Sequence, residues 1–398
     1  MRNLGLDVLR CCAVLLVLGQ HINAQSVTGA PWWADGSLQL WRQGGGLGVT
    51  LFFVLSGFLI SGLLFEEFHR TGTVDVRRFL IRRGFKLYPP LWALIVFGVL
   101  LNVARRTEEW SAFLPKVTAE MCFVQNYFPG MHGHTWTLAV EEHFYIACAV
   151  LVAWLGLRKA RDPFRGLPLA CALVAVACVL ARMRSAAGGV DREWSDFRGT
   201  HLCVDAMSFG VFLSYLCRFQ RLDDSVRSIP AFALLAAGCL VVSLGSTAVP
   251  ASMTAAGFAP VPNYVGSGLI VLAARRLQTT SSRMLGFIGI LGATSYSTYL
   301  WHGWVNMIAA RGFSKAFGFS NVWAYLFVYV AGSFAVGMAM HRLIEQRAMA
   351  LRNHLYPSPA TRIADSGRSE PRAGSQSSAL TRDLGSVTCA EAIEPPCG

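Results

Sequence analysis

The chain has 398 residues, of which 54% are apolar and only 15% charged. Charge this sparse, with apolar runs near 20 residues recurring down the sequence, excludes an ordinary soluble domain and points to a polytopic membrane protein. The formal net charge of +12 does not imply nucleic acid. Its basic residues sit in short loops between apolar runs, where the positive-inside bias accounts for them.

Ten spans are expected, at about 6–24, 46–65, 86–103, 138–157, 167–183, 203–217, 229–246, 263–276, 285–308 and 321–343. The fold class is therefore all-α, a transmembrane helix bundle over residues 1–350. Basic residues cluster after spans two (Arg70, Arg77, Arg78, Arg82, Arg83, Lys86), four, six and eight. That pattern places both termini in the cytoplasm, with the protein in the inner (plasma) membrane. Eleven cysteines follow no metal-like spacing, and most lie inside apolar runs, where Cys behaves as a small hydrophobe. The sequence leaves open whether Cys122 and Cys203, in or near outer loops, pair.

Span one carries Asp7, Arg10 and His21. Asp or Arg at the centre of a membrane helix costs roughly 2.5–3.5 kcal/mol on insertion scales. Arg10 and His21 are eleven positions apart, about 16 Å along a helix and about 20° around it, so they share a face with Asp7 close by. Such a pair reads as a functional site. A cleaved signal peptide is the plain alternative, and Asp7 and Arg10 interrupt its boundary.

Span two reads GGGLGVTLFFVLSGFLISG, whose Gly57 and Ser61 form a small-xxx-small pair suited to close helix packing. Ser56 has no base beside it in sequence. RRFLIRRGFKLYPPLW follows. Topology alone explains its charge, yet Arg82, Arg83 and Lys86 could also converge with Arg10 on a polyphosphate, which Arg binds through forked hydrogen bonds. In HGHTWTLAVEEHFY, Trp136 and Tyr145 are ordinary interface aromatics, and His132 and His134 fit a solvated loop. Glu141 and Glu142 enter an apolar span, where a carboxylate needs a partner or a task. His-Gly-His suggests no third or fourth ligand, so no metal is expected. Asp205 fits a helix start or a structural pair for an arginine. In span nine, Ser295, Tyr299 and His302 fall on one stripe, facing the bundle interior.

Together LDVLR with His21, GVTLFFVLSGFLIS, RRGFKLYPPLW, WTLAVEEHFY and SYSTYLWH resemble the acyltransferase 3 family, over roughly residues 3–350. Members of that family acylate bacterial surface glycans, lipopolysaccharide O-antigen and some macrolides. The resemblance implies that His21 is the essential histidine and Arg10 its partner arginine. It maps the family's WSLxVE motif onto Trp136 and Glu141, and its paired basic residues onto Arg83 and Lys86. Three departures stand out: Lys86 where arginine is usual, Cys203 where an arginine commonly precedes the span-six aspartate, and no proline after Glu345.

These residues imply transfer from cytoplasmic acyl-CoA, acetyl-CoA by default, to a hydroxyl of a glycan or glycolipid at the outer face. Arg10, Arg82, Arg83 and Lys86 would hold the donor's phosphates, and His21 would act as general base, supported by Glu141. Asp7, Trp136, Tyr145, Ser295, Tyr299 and His302 would support the site. A covalent acyl-histidine or acyl-serine step is an alternative. A secondary transporter or lipid-linked sugar flippase also suits intramembrane Arg, His and Glu, but no inverted repeat is evident. An inactive scaffold is the third reading. Acyl-CoA as donor substrate, a hydroxylated acceptor and the bilayer are the expected partners, with no bound cofactor and no nucleic acid.

Beyond Tyr356 the sequence turns to Pro, Ser, Arg and Gly without apolar periodicity, so residues 351–398 are expected to form a disordered cytoplasmic tail. Limited proteolysis followed by mass spectrometry is expected to trim this tail rapidly and leave the membrane core intact. Protection of the tail would contradict the expectation.

Overall fold

The computed structural model describes residues 3–27, 30–158, 160–187, 198–246, 253–277, 282–316 and 322–357, and every element among them is helical. Contacts divide the chain into Met1–Tyr356 and Pro357–Gly398. All the elements below belong to the first unit, and the tail from 358 onward lies outside the described residues.

The first half contains α1 (Leu4–Gln20), α2 (Trp32–Gln43), α3 (Gly45–Thr71), α4 (Val76–Arg105), α5 (Trp110–Met121), α6 (Trp136–Gly156) and α7 (Leu167–Ala187). It is followed by α8 (Thr200–Cys203), α9 (Asp205–Phe219), α10 (Leu222–Ser225), α11 (Ala231–Ser246), α12 (Met253–Phe258) and α13 (Val261–Arg275). The last part holds α14 (Arg283–Ala293), α15 (Ser295–Ala316), α16 (Val322–Met340), a π-helical segment (His341–Glu345) and α17 (Gln346–Leu355).

Six helical segments are long and apolar enough to cross a bilayer: Trp32–Thr71, Val76–Arg105, Trp136–Gly156, Leu167–Ala187, Thr254–Arg275 and Val322–Leu355. The expectation of ten is thus met only in part. Each expected span coincides with helix, but α1, α9, α11 and α14 are shorter than 18 residues. The span expected over 285–308 is broken at Thr294 between α14 and α15. Large apolar side chains such as Leu63, Leu100, Leu173, Leu240 and Phe327 are exposed, as lipid-facing positions are.

The core is organised around α1, which packs on α2, α3, α13, α14 and α15. Asn3 caps it by accepting the Leu6 N–H at 3.1 Å. Its first half (Leu6, Leu9, Ala13) joins an apolar cluster with α3, α6, α9 and α13. Its second half (Val14, Val17, Leu18) joins another with α4, α15 and α16. Small residues set the spacing: a methyl group on Gly57 would overlap the Met207 carbonyl of α9, and one on Gly210 the Val54 carbonyl of α3. The small-xxx-small pair in span two thus serves helix packing. Gly292 likewise brings α14 onto the Asp7 carbonyl of α1. Pro89 and Pro90 lie inside α4 and leave the carbonyls of Phe85 and Lys86 without their usual helix donors.

Asp205 is structural. Its carboxylate accepts Arg182 Nη2 at 2.9 Å, and Arg182 also donates to the Leu202 and Gly257 carbonyls at 2.7 and 2.9 Å. Both side chains are 1% exposed, so the guanidinium ties α7 to the α8–α9 junction and to α12. Removing one partner of a buried pair costs about 3–5 kcal/mol, whereas replacing both by apolar groups is often neutral. Asp205→Ala is therefore expected to lower the thermal unfolding midpoint in detergent markedly, and Arg182→Met combined with Asp205→Leu to lower it far less.

Candidate active site

His21 is the residue at which the chain leaves α1. Its Nδ1 lies 3.0 Å from the Val17 carbonyl oxygen. A carbonyl only accepts, so Nδ1 carries the hydrogen and Nε2 keeps the lone pair. The same logic applies to two neighbours. His302 of α15 is fully buried, and its Nδ1 donates to the Tyr299 carbonyl at 2.5 Å. Its Nε2 is buried without a hydrogen-bond partner among the described residues. His134, just before α6, donates from Nε2 to the Leu300 carbonyl at 3.1 Å. The His302 ring stands 4.8 Å from His21 and 4.7 Å from His134, and the His21 and His134 rings are 6.2 Å apart. Three imidazoles thus face one another, each with one nitrogen tied to a helix carbonyl.

His134 is held by a buried latch. Glu120 of α5 accepts the His132 backbone N–H at 2.8 Å, His132 Nδ1 at 3.0 Å and the Thr135 hydroxyl at 2.6 Å. Tyr299 donates to the His134 carbonyl and shares a hydrogen bond with Thr137 at 2.7 Å. Among the described residues no group of three His, Cys, Asp or Glu side chains is placed to hold a metal ion.

A basic cluster occupies the other end of α1. Arg10 Nη1 bonds Asp7 at 2.7 Å. Lys86 of α4 is close enough to interact electrostatically with Arg83, Arg10, Glu345 and Glu141. Arg83 stacks 4.5 Å over the Tyr145 ring and donates from Nη2 to the Tyr145 hydroxyl at 2.7 Å. Tyr145 donates in turn to Glu141 at 2.6 Å, whose other oxygen takes a 3.3 Å bond from Ser56. Tyr88 donates to Glu142 at 2.5 Å. The side-chain nitrogens Arg83 Nε, Arg78 Nε and Arg78 Nη2 are buried with no hydrogen-bond partner among the described residues. Buried donors of this kind cost free energy unless a ligand meets them. From the π-helical segment, Glu345 accepts His341 Nδ1 and Ser297, both at 2.8 Å.

The structure therefore joins Arg10, Asp7, Arg83, Lys86, Glu141 and Tyr145 in one polar group, and His21, Tyr299 and His302 in another. Arg82 stands apart, donating to the Tyr356 carbonyl and interacting with Arg78 and Arg352. Trp136 packs edge-on against Phe53, and Ser295 is buried at the start of α15. Glu141 is engaged by Ser56 and Tyr145, so the carbonyl of Val17 orients the His21 ring. His134, read from sequence as a solvated loop residue, lies inside the site because Glu120 fastens the loop. Arg198, which interacts electrostatically with His21 and Tyr299, also escaped the sequence reading. It gave no signal beyond being one basic residue in a loop between helices. Cys122 and Cys203 are both free thiols.

Burial, and then the facing rings of His302, His132 and His21, push the His134 pKa well below its ordinary 6.5; the Leu300 bond opposes this. A histidine depressed in the fold stays neutral there and gains a proton on unfolding, so its contribution to stability falls as pH drops through 6.5. The unfolding midpoint is expected to decline between pH 7 and pH 5, and less steeply in His134→Gln; equal slopes would contradict this.

The family model described as an acyltransferase domain, acyltransferase 3, matches residues 3–342. Among curated proteins, O-acetyltransferase OatA of Staphylococcus aureus (strain NCTC 8325 / PS 47) is 30% identical over 164 residues, which are 38% of this chain and 25% of that protein. A protein of Staphylococcus aureus (strain COL), provisionally described as an O-acetyltransferase, is 32% identical over the same length and the same shares. The match thus spans about a quarter of the length of these relatives. No solved structure matches the chain.

Proposed function

Because the chain belongs to the acyltransferase 3 family, we propose that it is a membrane O-acyltransferase carrying an acyl group, acetyl by default, from cytoplasmic acyl-CoA to a glycan or glycolipid hydroxyl at the outer face. The observation that carries this reading is the polarity of α1. One end is set among cationic side chains with unpartnered buried donors, and the other presents the lone pair of His21. Ten spans with cytoplasmic termini, in the inner membrane, follow from the positive-inside bias and form part of the proposal. They leave residues 1–350 as the acyltransferase domain and 351–398 as its tail.

In the proposed reaction Arg10, Arg83 and Lys86, with Arg82 behind them, hold the donor's phosphates by charge-assisted hydrogen bonds. The thioester then extends along α1 toward His21. His21 Nε2 takes the proton of the acceptor hydroxyl as its oxygen attacks the thioester carbonyl. The carbon–sulfur bond breaks, and the imidazolium returns the proton to the departing thiolate, leaving CoA and the ester. Glu141, which interacts electrostatically with both Lys86 and Tyr299, supplies negative charge. It stabilises the imidazolium through space while Ser56 and Tyr145 fix its oxygens. Asp7 holds Arg10 in place. Tyr299 and His302 line the His21 end with Trp136 and Ser295 in support.

Acetyl-CoA consumption by the purified protein in detergent, across a glycan panel, tests the proposal. His21→Ala is expected to lower turnover by about 10²–10⁴-fold, the usual contribution of a general base. Arg83→Gln is expected mainly to raise KM for acetyl-CoA. Undiminished turnover in His21→Ala would overturn the assignment of the base.

A further inference from the structure

The end of α1 is a mechanical problem. The last turn of α1 closes on itself only loosely, with the His21 N–H reaching the Leu18 carbonyl at 3.1 Å and the Ile22 N–H the Gly19 carbonyl at 3.2 Å. Side chains from three other helices add bonds to carbonyls of this stretch. Trp41 of α2 donates to the Leu15 carbonyl at 2.8 Å, and Tyr329 of α16 to the Leu18 carbonyl at 3.0 Å. At the point of exit, Asn306 of α15 donates from Nδ2 to the carbonyl of His21 itself. Tyr325 of α16 donates to Asn306 Oδ1 at 2.5 Å and accepts the Asn23 backbone N–H at 2.9 Å. These three bonds close a ring around residues 21–23: His21 carbonyl, Asn306 amide, Tyr325 hydroxyl, Asn23 amide.

We propose that Asn306 and Tyr325 are positioning residues, which lock the chain at His21–Asn23 and so fix where the His21 imidazole stands. Packing alone would hold α1 against α15 and α16 without desolvating an amide and a phenol. The polar ring adds a fixed location for one backbone unit, and that unit carries the imidazole. The ring torsions of His21 are in turn fixed by Val17, four residues back on the same helix. Asn306 also shares α15 with His302, so the helix that presents the facing imidazole anchors the His21 backbone. An asparagine is required because the position must donate to one neighbour and accept from the other. Ionised aspartate keeps the shape and the acceptance from Tyr325 but cannot donate to the carbonyl.

The inference rests on His21 as the base, and the experiment separates the two. Full-length protein, Asn306→Asp, Tyr325→Phe and His21→Ala would be compared by backbone hydrogen exchange over residues 18–27, by thermal unfolding and by acetyl-CoA turnover. Misplacing a reacting group by about 1 Å can cost 10²-fold in rate. Asn306→Asp is expected to exchange faster at residues 21–23 than elsewhere, with a modestly lowered thermal midpoint, and to lose about 10–100-fold in kcat per folded molecule at unchanged KM. Tyr325→Phe is expected to show the same pattern more weakly. Wild-type exchange at residues 21–23 in both variants would overturn the proposal, as would full kcat per folded molecule. Undiminished turnover in His21→Ala, or no turnover in the wild type, would count against the base itself. In those cases local exchange would still decide whether Asn306 and Tyr325 hold this segment.

Discussion

The carbonyl of Val17 decides which nitrogen of His21 is available for chemistry. It is one turn back on the same helix, it can only accept, and so it holds the proton on Nδ1 and leaves Nε2 bare. In many acyl-transfer sites a carboxylate does this work and also balances the imidazolium charge. Here a neutral backbone group sets the tautomer, and both oxygens of Glu141 accept bonds from Ser56 and Tyr145. A neutral orienting group suits a helix end crowded by two more imidazoles, since a permanent negative charge beside them would favour their protonation.

Charge is separated along α1 for a related reason. The Asp7–Arg10 pair at one end satisfies part of its own desolvation cost and keeps a cation facing Lys86. Arg83 is anchored by both the face and the hydroxyl of Tyr145, which leaves its Nε free to meet an anion. One helix thus carries an anion-attracting end and a neutral, basic end, which is the polarity a donor with a charged head and a reactive tip requires.

Sequence reasoning located the helix α1 and the stripe on α15 that brings His302 against His21, because each depends on local periodicity. It misjudged what depends on distant contacts. Nothing in His-Gly-His reveals that Glu120, twelve residues earlier, pulls the loop into the bundle. Asn306 and Tyr325 were unremarkable polar residues in apolar helices until their carbonyl and amide partners were placed. The span count suffered from composition alone: apolar runs near 20 residues do not disclose that a helix stops at Thr294, where α14 ends and α15 begins.

The three departures from the family pattern have different standing once the geometry is considered. Cys203 replaces an arginine beside Asp205, and Arg182 supplies the guanidinium from α7 instead, so the buried carboxylate keeps its counter-ion. The missing proline after Glu345 lets the helix continue through the π-helical segment into α17. That continuation brings Arg352 within electrostatic reach of Arg82 and Arg83, adding a cation where Lys86 has replaced a forked guanidinium by a compact ammonium. Lysine still attracts phosphate but gives up bidentate geometry, so orientation of an anion must fall to Arg83, whose plane is fixed by Tyr145. Under the proposed reaction, the side chains that would grip the donor are thereby spread over α1, α4 and α17.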